Sequence, residues 1–498
     1  MNLDDLDKFL LVGPAVLLAA ILAVRLSVRA GLPSLLVYLG IGLLLGESVI
    51  GIEFSNADLA HALGFGALIL ILAEGGLTTK WSQVRPTIGL GLLLATVGVL
   101  ISVAVVALAA HYLLGLEWQI AILLAAVTSP TDAAAVFSVL RRVPLKSSVL
   151  GTLETESGLN DAPIVLIVTA VSTGVATDHS LPVFALLVAF ELGFGAAIGW
   201  VVGRLGALSL RVVALPSSGL YPIAVLAFTV LAYGGATFVH GSGFAAVYIA
   251  ALVLGNTELP HRAATRSFAE GIGWLAQIGL FVMLGLLASP GKIEGWQIWT
   301  AIASGAILTF VARPLSVVVC ALFTGTGWRE QAFLSWAGLR GAVPIVLASI
   351  PLAEGVTGAD AIFNIVFVFV IVYTFIQAPS LSWAARLLGV TTEGVRDLEV
   401  EAAPLERLSA DLLQVHVPRK SLLIGVEIAE LRLPAGSSVA LVVRGDESVV
   451  PHRTTRIKVG DDLLVVAPRS VREATERRLR SVAKGGRLAG WIGEDDPV

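Results

Sequence analysis

Of the 498 residues, 56% are hydrophobic and 14% charged, whereas soluble globular domains carry about 25% charged residues, so a soluble globular protein is excluded and a membrane is implied. A net charge of -4 with no basic block leaves no electrostatic footprint for nucleic acid. The single cysteine, Cys320, excludes an intrachain disulfide and a cysteine-rich zinc site, and reads as a small apolar residue in a helix.

The chain opens on an acidic stretch, Met1 to Lys8, and the apolar run behind it has no small-residue cleavage site. It is read as a retained first helix, with no signal peptide. A bilayer core needs about 20 apolar helical residues, each bonded within its own segment, and that rule finds about thirteen runs along the chain. They centre near Leu18, Gly42, Ile69, Gly98, Thr128, Asp161, Ala189, Ala227, Val247, Leu280, Leu308, Arg340 and Phe369. Residues 1–389 are therefore expected to form an all-α polytopic membrane domain. Basic residues gather in alternate loops, among them Lys80 and Arg85, Arg204 and Arg211, Arg262 and Arg266, Arg329 and Arg386, while Glu47, Glu354 and Asp360 lie in the others. The bias places the N-terminus outside and the C-terminus in the cytoplasm. Gly195, Gly199 and Gly203 repeat at four-residue spacing, which suits close helix packing.

Ionisable groups at membrane depth are costly, so they are expected to face inward with a task or a partner. Asp132, Glu156, Asp161 and Arg340 stand out. In Thr128-Ser129-Pro130-Thr131-Asp132, Pro130 removes a backbone donor and breaks the helix, and Thr131 and Asp132 suit the cap of the half that restarts. In Glu156-Ser157-Gly158-Leu159-Asn160-Asp161, Ser157 and Asp161 share a helical face and supply oxygens suited to a hard cation. A second interruption, Gly338 to Pro344, follows an odd number of spans later, so the two broken helices run oppositely, as an inverted repeat with a central site requires. Arg340 is expected to balance half-helix carbonyl ends and to pair with Glu156 as a structural ion pair. Glu74 and Arg313 read as charges in local pairs or snorkelling to the surface, and His111, His179 and His240 lie near outer loops where histidines can sense pH.

These motifs, Thr131-Asp132, Glu156-Ser157 with Asn160-Asp161, and Gly338-Leu339-Arg340-Gly341, resemble the cation/proton antiporters of the NhaP branch, most of all its potassium/proton subgroup with a soluble regulator. The resemblance runs from Phe9 to about Gly389. It implies a bacterial inner-membrane exchanger in which Thr131, Asp132, Ser157 and Asp161 contact potassium or sodium, Asn160 supports the helix broken at Pro130, and Glu156 and Arg340 form the structural pair. It also associates Asn160-Asp161 with electroneutral exchange. On this reading a proton and a cation compete for the Asp161 carboxylate, since a carboxylate held away from water sheds its bare charge to either one. Two other readings use the same residues: a cation channel, and an intramembrane aspartyl protease with Asp132 and Asp161 as a dyad.

Beyond Gly389 the charge rises, and 390–408 reads as a linker. Short β-branched runs, Leu412 to Val417, Val439 to Val443 and Asp462 to Ala467, then alternate with turns, and Ser470 to Leu479 reads as a closing helix. Residues 409–485 are thus a small α+β domain, followed by a tail at 486–498. The segment resembles the C-terminal module of TrkA-type potassium-transport regulators, with Gly425 to Leu433 as its helix and strand entry and Val459-Gly460-Asp461 as its late turn. That likeness implies a homodimer and a small regulatory ligand, cyclic dinucleotides among the candidates. No Gly-x-Gly-x-x-Gly loop is present, so NAD or ATP sensing is not expected.

Overall fold

The computed structural model describes residues 3–486, apart from 31–33, 48–49, 52–56, 141–142, 144, 176–180, 214, 342, 393–399, 405–409, 419–420 and 446. His179 and all but Gly486 of the predicted tail lie outside the described residues. The chain divides into two units, Met1–Thr391 and Thr392–Val498.

The first unit is helical. It begins with α1 (Leu3–Ala30), α2 (Ser34–Leu45) and α3 (Ala57–Thr78), followed by a short turn, α4 (Trp81–Val84). A π-helical turn at Leu94–Gly98 joins α5 (Ile88–Leu93) to α6 (Val99–Tyr112) as one rod. Next, α7 (Trp118–Thr128) and α8 (Ala133–Leu140) are the halves of an interrupted span, and α9 (Ser147–Ser172) runs beside them. They are followed by α10 (Leu181–Val212), α11 (Leu220–Phe238), α12 (Gly243–Gly255) and α13 (Arg262–Leu287). A second π-helical turn, Leu308–Ala312, joins α14 (Gly295–Ile307) to α15 (Arg313–Ala321). The second interrupted span consists of α16 (Trp328–Trp336) and α17 (Val343–Ala353), and α18 (Ala359–Leu387) closes the unit.

Every centre expected from the sequence falls in a helix, in a π-helical turn joining two helices, or in a break between two halves. Among the described residues, 7 helices are long and apolar enough to cross a bilayer unaided. The shorter apolar ones include α7 and α17, halves that together with α8 and α16 make up the two interrupted spans. The glycine stripe on α10 does what its spacing suggests: a Cβ on Gly195, Gly199 or Gly203 would strike Ser242, Ala246 or Ala250 of the α12 strip. Backbones approach there because nothing projects between them.

The second unit is a five-stranded sheet in the order β1-β2-β5-β3-β4, formed by β1 (Val400–Pro404), β2 (Ala410–His416), β3 (Ser438–Arg444), β4 (Glu447–Val449) and β5 (Asp461–Pro468). All its pairings are antiparallel. Alternate residues of β5, Leu463, Val465 and Ala467, share a buried cluster with Leu479, Val482 and Ala483 of the closing helix α19 (Arg472–Gly485), the period-two pattern of a sheet covered on one face. Gly460 turns the chain into β5 at φ +79, a left-handed conformation that glycine adopts without penalty. The expected linker is corrected at its end, because Val400–Pro404 pairs with Val415 to Asp411 as an edge strand. An edge strand is held by backbone bonds on one side, so a charged, weakly alternating sequence can still form one. The expected helical entry at Gly425 to Leu433 contains only a single 3-10 turn, Ile428–Leu431.

Candidate cation site at two crossing breaks

The first break is made by Pro130, which cannot donate to the helical ladder. Asp132 restarts the helix: its Oδ1 accepts from the backbone N–H of Ala135 at 3.2 Å, a side-chain cap for an amide with no partner in its own helix. The second break spans Ala337 to Gly341 between α16 and α17. The two cross, since the Asp132 N–H donates to the carbonyl of Leu339 at 2.9 Å. Gly341 lies so close to the Asp132 carboxylate that a Cβ there would run into it.

Helix α9 passes beside the first break. Ser157 Oγ donates to the Thr131 carbonyl at 2.9 Å, and Asn160 Nδ2 donates to that carbonyl at 3.2 Å and to Thr131 Oγ1 at 2.8 Å. Asn160 thus pins the broken segment by its amide nitrogen, which leaves its Oδ1 buried and without a partner. One residue on, Asp161 is 5% exposed, and its Oδ1 is likewise buried and unpartnered. Buried carboxylate and amide oxygens without donors are costly in a protein interior. A cation that accepts oxygen ligands, or a proton on the carboxylate, relieves that cost. Asp132, Ser157 and Asp161 all line one cavity of about 450 Å³, whereas Thr131 and Asn160 are not among its lining residues, Thr131 being bonded to both Asn160 and Ser157.

The pattern described as sodium/hydrogen exchanger, transmembrane, matches residues 16–387. The chain belongs to that exchanger family. A TrkA-C domain pattern matches residues 412–480. Among curated proteins it is similar to the K(+)/H(+) antiporter NhaP2 of Shewanella sp. strain ANA-3, 34% identical over 95% of this chain and 83% of that protein. It is also similar to the K(+)/H(+) antiporter NhaP of Alkalimonas amylolytica, 34% identical over 93% of this chain and 82% of that one. Among solved structures, the sodium proton antiporter MjNhaP1 from Methanocaldococcus jannaschii at pH 8 is alike in fold, with a TM-score of 0.61 and 23% identity over 76% of this chain and 100% of that chain. The exchanger family is one of multi-pass membrane transporters, so the protease reading is set aside.

Within this exchanger the expected ion pair of Glu156 with Arg340 is not the one formed. Glu156, fully buried, is held by both guanidinium nitrogens of Arg313: Nη1 on Oε1, and Nη2 on Oε2 at 2.8 Å. Arg340 is occupied elsewhere, its Nε on the Thr128 carbonyl at 3.0 Å and its Nη1 on the Gly338 carbonyl at 2.6 Å. The expectation that Arg340 serves half-helix carbonyls therefore stands at Thr128, the last residue of α7, while Arg313 also serves the Leu334 carbonyl of α16 through Nε at 3.3 Å. Each half-helix that ends at a break thus meets one arginine at its negative end. Arg313, 3% exposed, is neither snorkelling nor paired locally. Sequence reading missed this because a bidentate partner in another helix leaves no periodicity to detect; the available signal was a mid-span arginine, Arg313, followed by Pro314.

Sequence reading also passed over Glu154 and Tyr248, which line the cavity with Asp161. Glu154 carried a signal, since it lies three residues before Ser157 and seven before Asp161 on one helical face. Glu74 lines the same cavity. His111 stacks on Trp118 at 4.1 Å between ring centroids, and its Nδ1 meets the Leu116 carbonyl at 2.8 Å.

Proposed function

We propose that this exchanger carries potassium in one direction and protons in the other, with Asp161 as the carboxylate for which the two compete. The observation that carries the reading is the buried, unpartnered Oδ1 of Asp161 beside the crossing breaks. Asp132 and Ser157 supply further oxygens from the cavity wall, and Thr131 and Asn160 hold the broken segment in place. Potassium is favoured over sodium because relatives similar over nearly the whole chain are K(+)/H(+) antiporters. Exchange becomes obligatory if Asp161 changes sides only when loaded, because a bare carboxylate in a low-dielectric interior is the least stable state of the cycle.

The loop charges further support an outside N-terminus and a cytoplasmic C-terminal unit. That unit is proposed to join two chains as a homodimer and to respond to a small ligand, with cyclic dinucleotides the class to try. The decisive experiment reconstitutes the full chain in proteoliposomes under an imposed proton gradient and records a pH-sensitive dye as potassium and sodium are added in turn. Dequenching by potassium well below the sodium concentration needed supports the reading, and the Asp161→Asn variant should give none. Cation flux that continues without proton movement would instead favour a channel.

A further inference from the structure

The cavity does not end at Asp161. It extends along α9 past Gly158 to Glu154, and Glu74, Thr79 and Glu270 line it as well. Glu154 lies within electrostatic reach of Lys80, between α3 and α4, and of Arg266, near the start of α13, so this end is the mouth on the side where positive charge gathers. Arg266 is already engaged, by the Thr78 carbonyl and by Glu270 at 3.8 Å. Among the described residues Glu154 makes no close ion pair, and its Oε2 is buried without a hydrogen-bond partner.

A second observation falls at the same place. Tyr248 is 3% exposed, and its buried hydroxyl has the Thr79 side chain as its near polar neighbour but makes no hydrogen bond of full geometry among the described residues. Its ring occupies the space where Gly158 lacks a side chain; a Cβ on Gly158 would lie 2.7 Å from the hydroxyl. Gly158 is one turn beyond Glu154 and just under one turn before Asp161, so the phenol oxygen sits level with the gap between the two carboxylates. Glu154 also acts electrostatically on Tyr248. A Glu154 carboxylate oxygen and the Tyr248 phenol oxygen, both buried and neither fully hydrogen-bonded, belong to side chains that line the one cavity shared with Asp161. Leaving both unmatched is unfavourable, and a visiting monovalent cation would satisfy both.

We propose that Glu154 and the Tyr248 hydroxyl form a second station for the transported cation, between the Lys80 and Arg266 mouth and Asp161. The inference rests on the exchange reading above and adds to it a place where the ion halts before the final handover. The station gathers a dilute cation by its negative charge, and its loss acts on the concentration needed rather than on the turnover once the site is full.

The test uses the full chain in proteoliposomes for transport and in detergent for binding of radioactive rubidium. Glu154→Gln should raise the potassium KM about five- to tenfold with kcat little changed, Tyr248→Phe should raise it by a smaller factor, and Glu154→Asp, which keeps the charge, should recover most of the loss. Asp161→Asn should stop exchange yet retain weak rubidium binding, which disappears on adding Glu154→Gln. If Glu154→Gln leaves both KM and rubidium binding unchanged, or if Asp161→Asn alone removes all binding, the station is overturned. Continued exchange by Asp161→Asn would overturn the Asp161 reading instead, so the two failures are distinguishable.

Discussion

Two stretches of α9, little more than one turn apart, carry buried carboxylates with opposite fates. Glu156 is wholly buried and saturated, gripped at both oxygens by Arg313. Asp161 is almost as deeply buried, yet keeps an oxygen with no donor. Depth is nearly the same, and only the partner differs. A matched charge in the interior ties helices together, whereas an unmatched carboxylate is relieved by a proton or a cation, which is what the proposed exchange uses.

The comparison is broken most severely at Asp161. Asp161→Asn should abolish cation-dependent proton flux while the purified protein elutes as the wild type does; flux at wild-type rates would show that the unmatched oxygen is idle. Glu156→Ala should behave in the opposite way, chiefly as a folding defect. It strands the Arg313 guanidinium, a loss of roughly 3 to 5 kcal/mol for a buried pair cut on one side, readable as a lower thermal midpoint in detergent. Replacing both partners, Glu156→Leu with Arg313→Leu, should restore much of that stability, and failure to do so would mean that Arg313 matters more for the Leu334 carbonyl than for Glu156.

Gly341→Ala sharpens the contrast from the second break. The added methyl meets the Asp132 carboxylate, and displacing it should cost about 1 to 3 kcal/mol and raise the cation KM several-fold; unchanged kinetics would remove Asp132 from the site. The smallest effect is expected in the C-terminal unit, where Asp461 is a matched charge outside the membrane. Burial alone would push its carboxyl up from 3.8, but the Arg444 hydrogen bond, the Lys458 backbone amide and the charges of Arg444 and Lys458 hold it lower. A carboxyl lowered by folding contributes stability above its unfolded value and loses it as pH falls through the folded one. Hydrogen exchange of β5 in the full chain should therefore quicken below about pH 4, and Asp461→Asn should remove that acid dependence.

Much of this was legible in the sequence because the physics was local. A proline at mid-span, an aspartate two residues on, and a serine four residues before a second aspartate each have short-range consequences, and both breaks, the Asp132 cap and the α10 stripe could be read that way. What could not be read depended on contacts between distant helices. Two mid-span arginines competed for Glu156, and neighbouring sequence favoured Arg340, the one beside a break, while the fold delivered Arg313. The edge strand Val400–Pro404 was hidden for a similar reason, since its pairing lies in backbone bonds to β2 rather than in its own side-chain pattern.

The bond from the Asp132 amide to the Leu339 carbonyl limits how the passage can open. It staples the two interrupted spans at their crossing, so a motion that parted them would break that bond beside the cavity that Asp132 lines. A transport cycle that keeps this bond would carry the crossing as one body and leave access from either side to the surrounding walls.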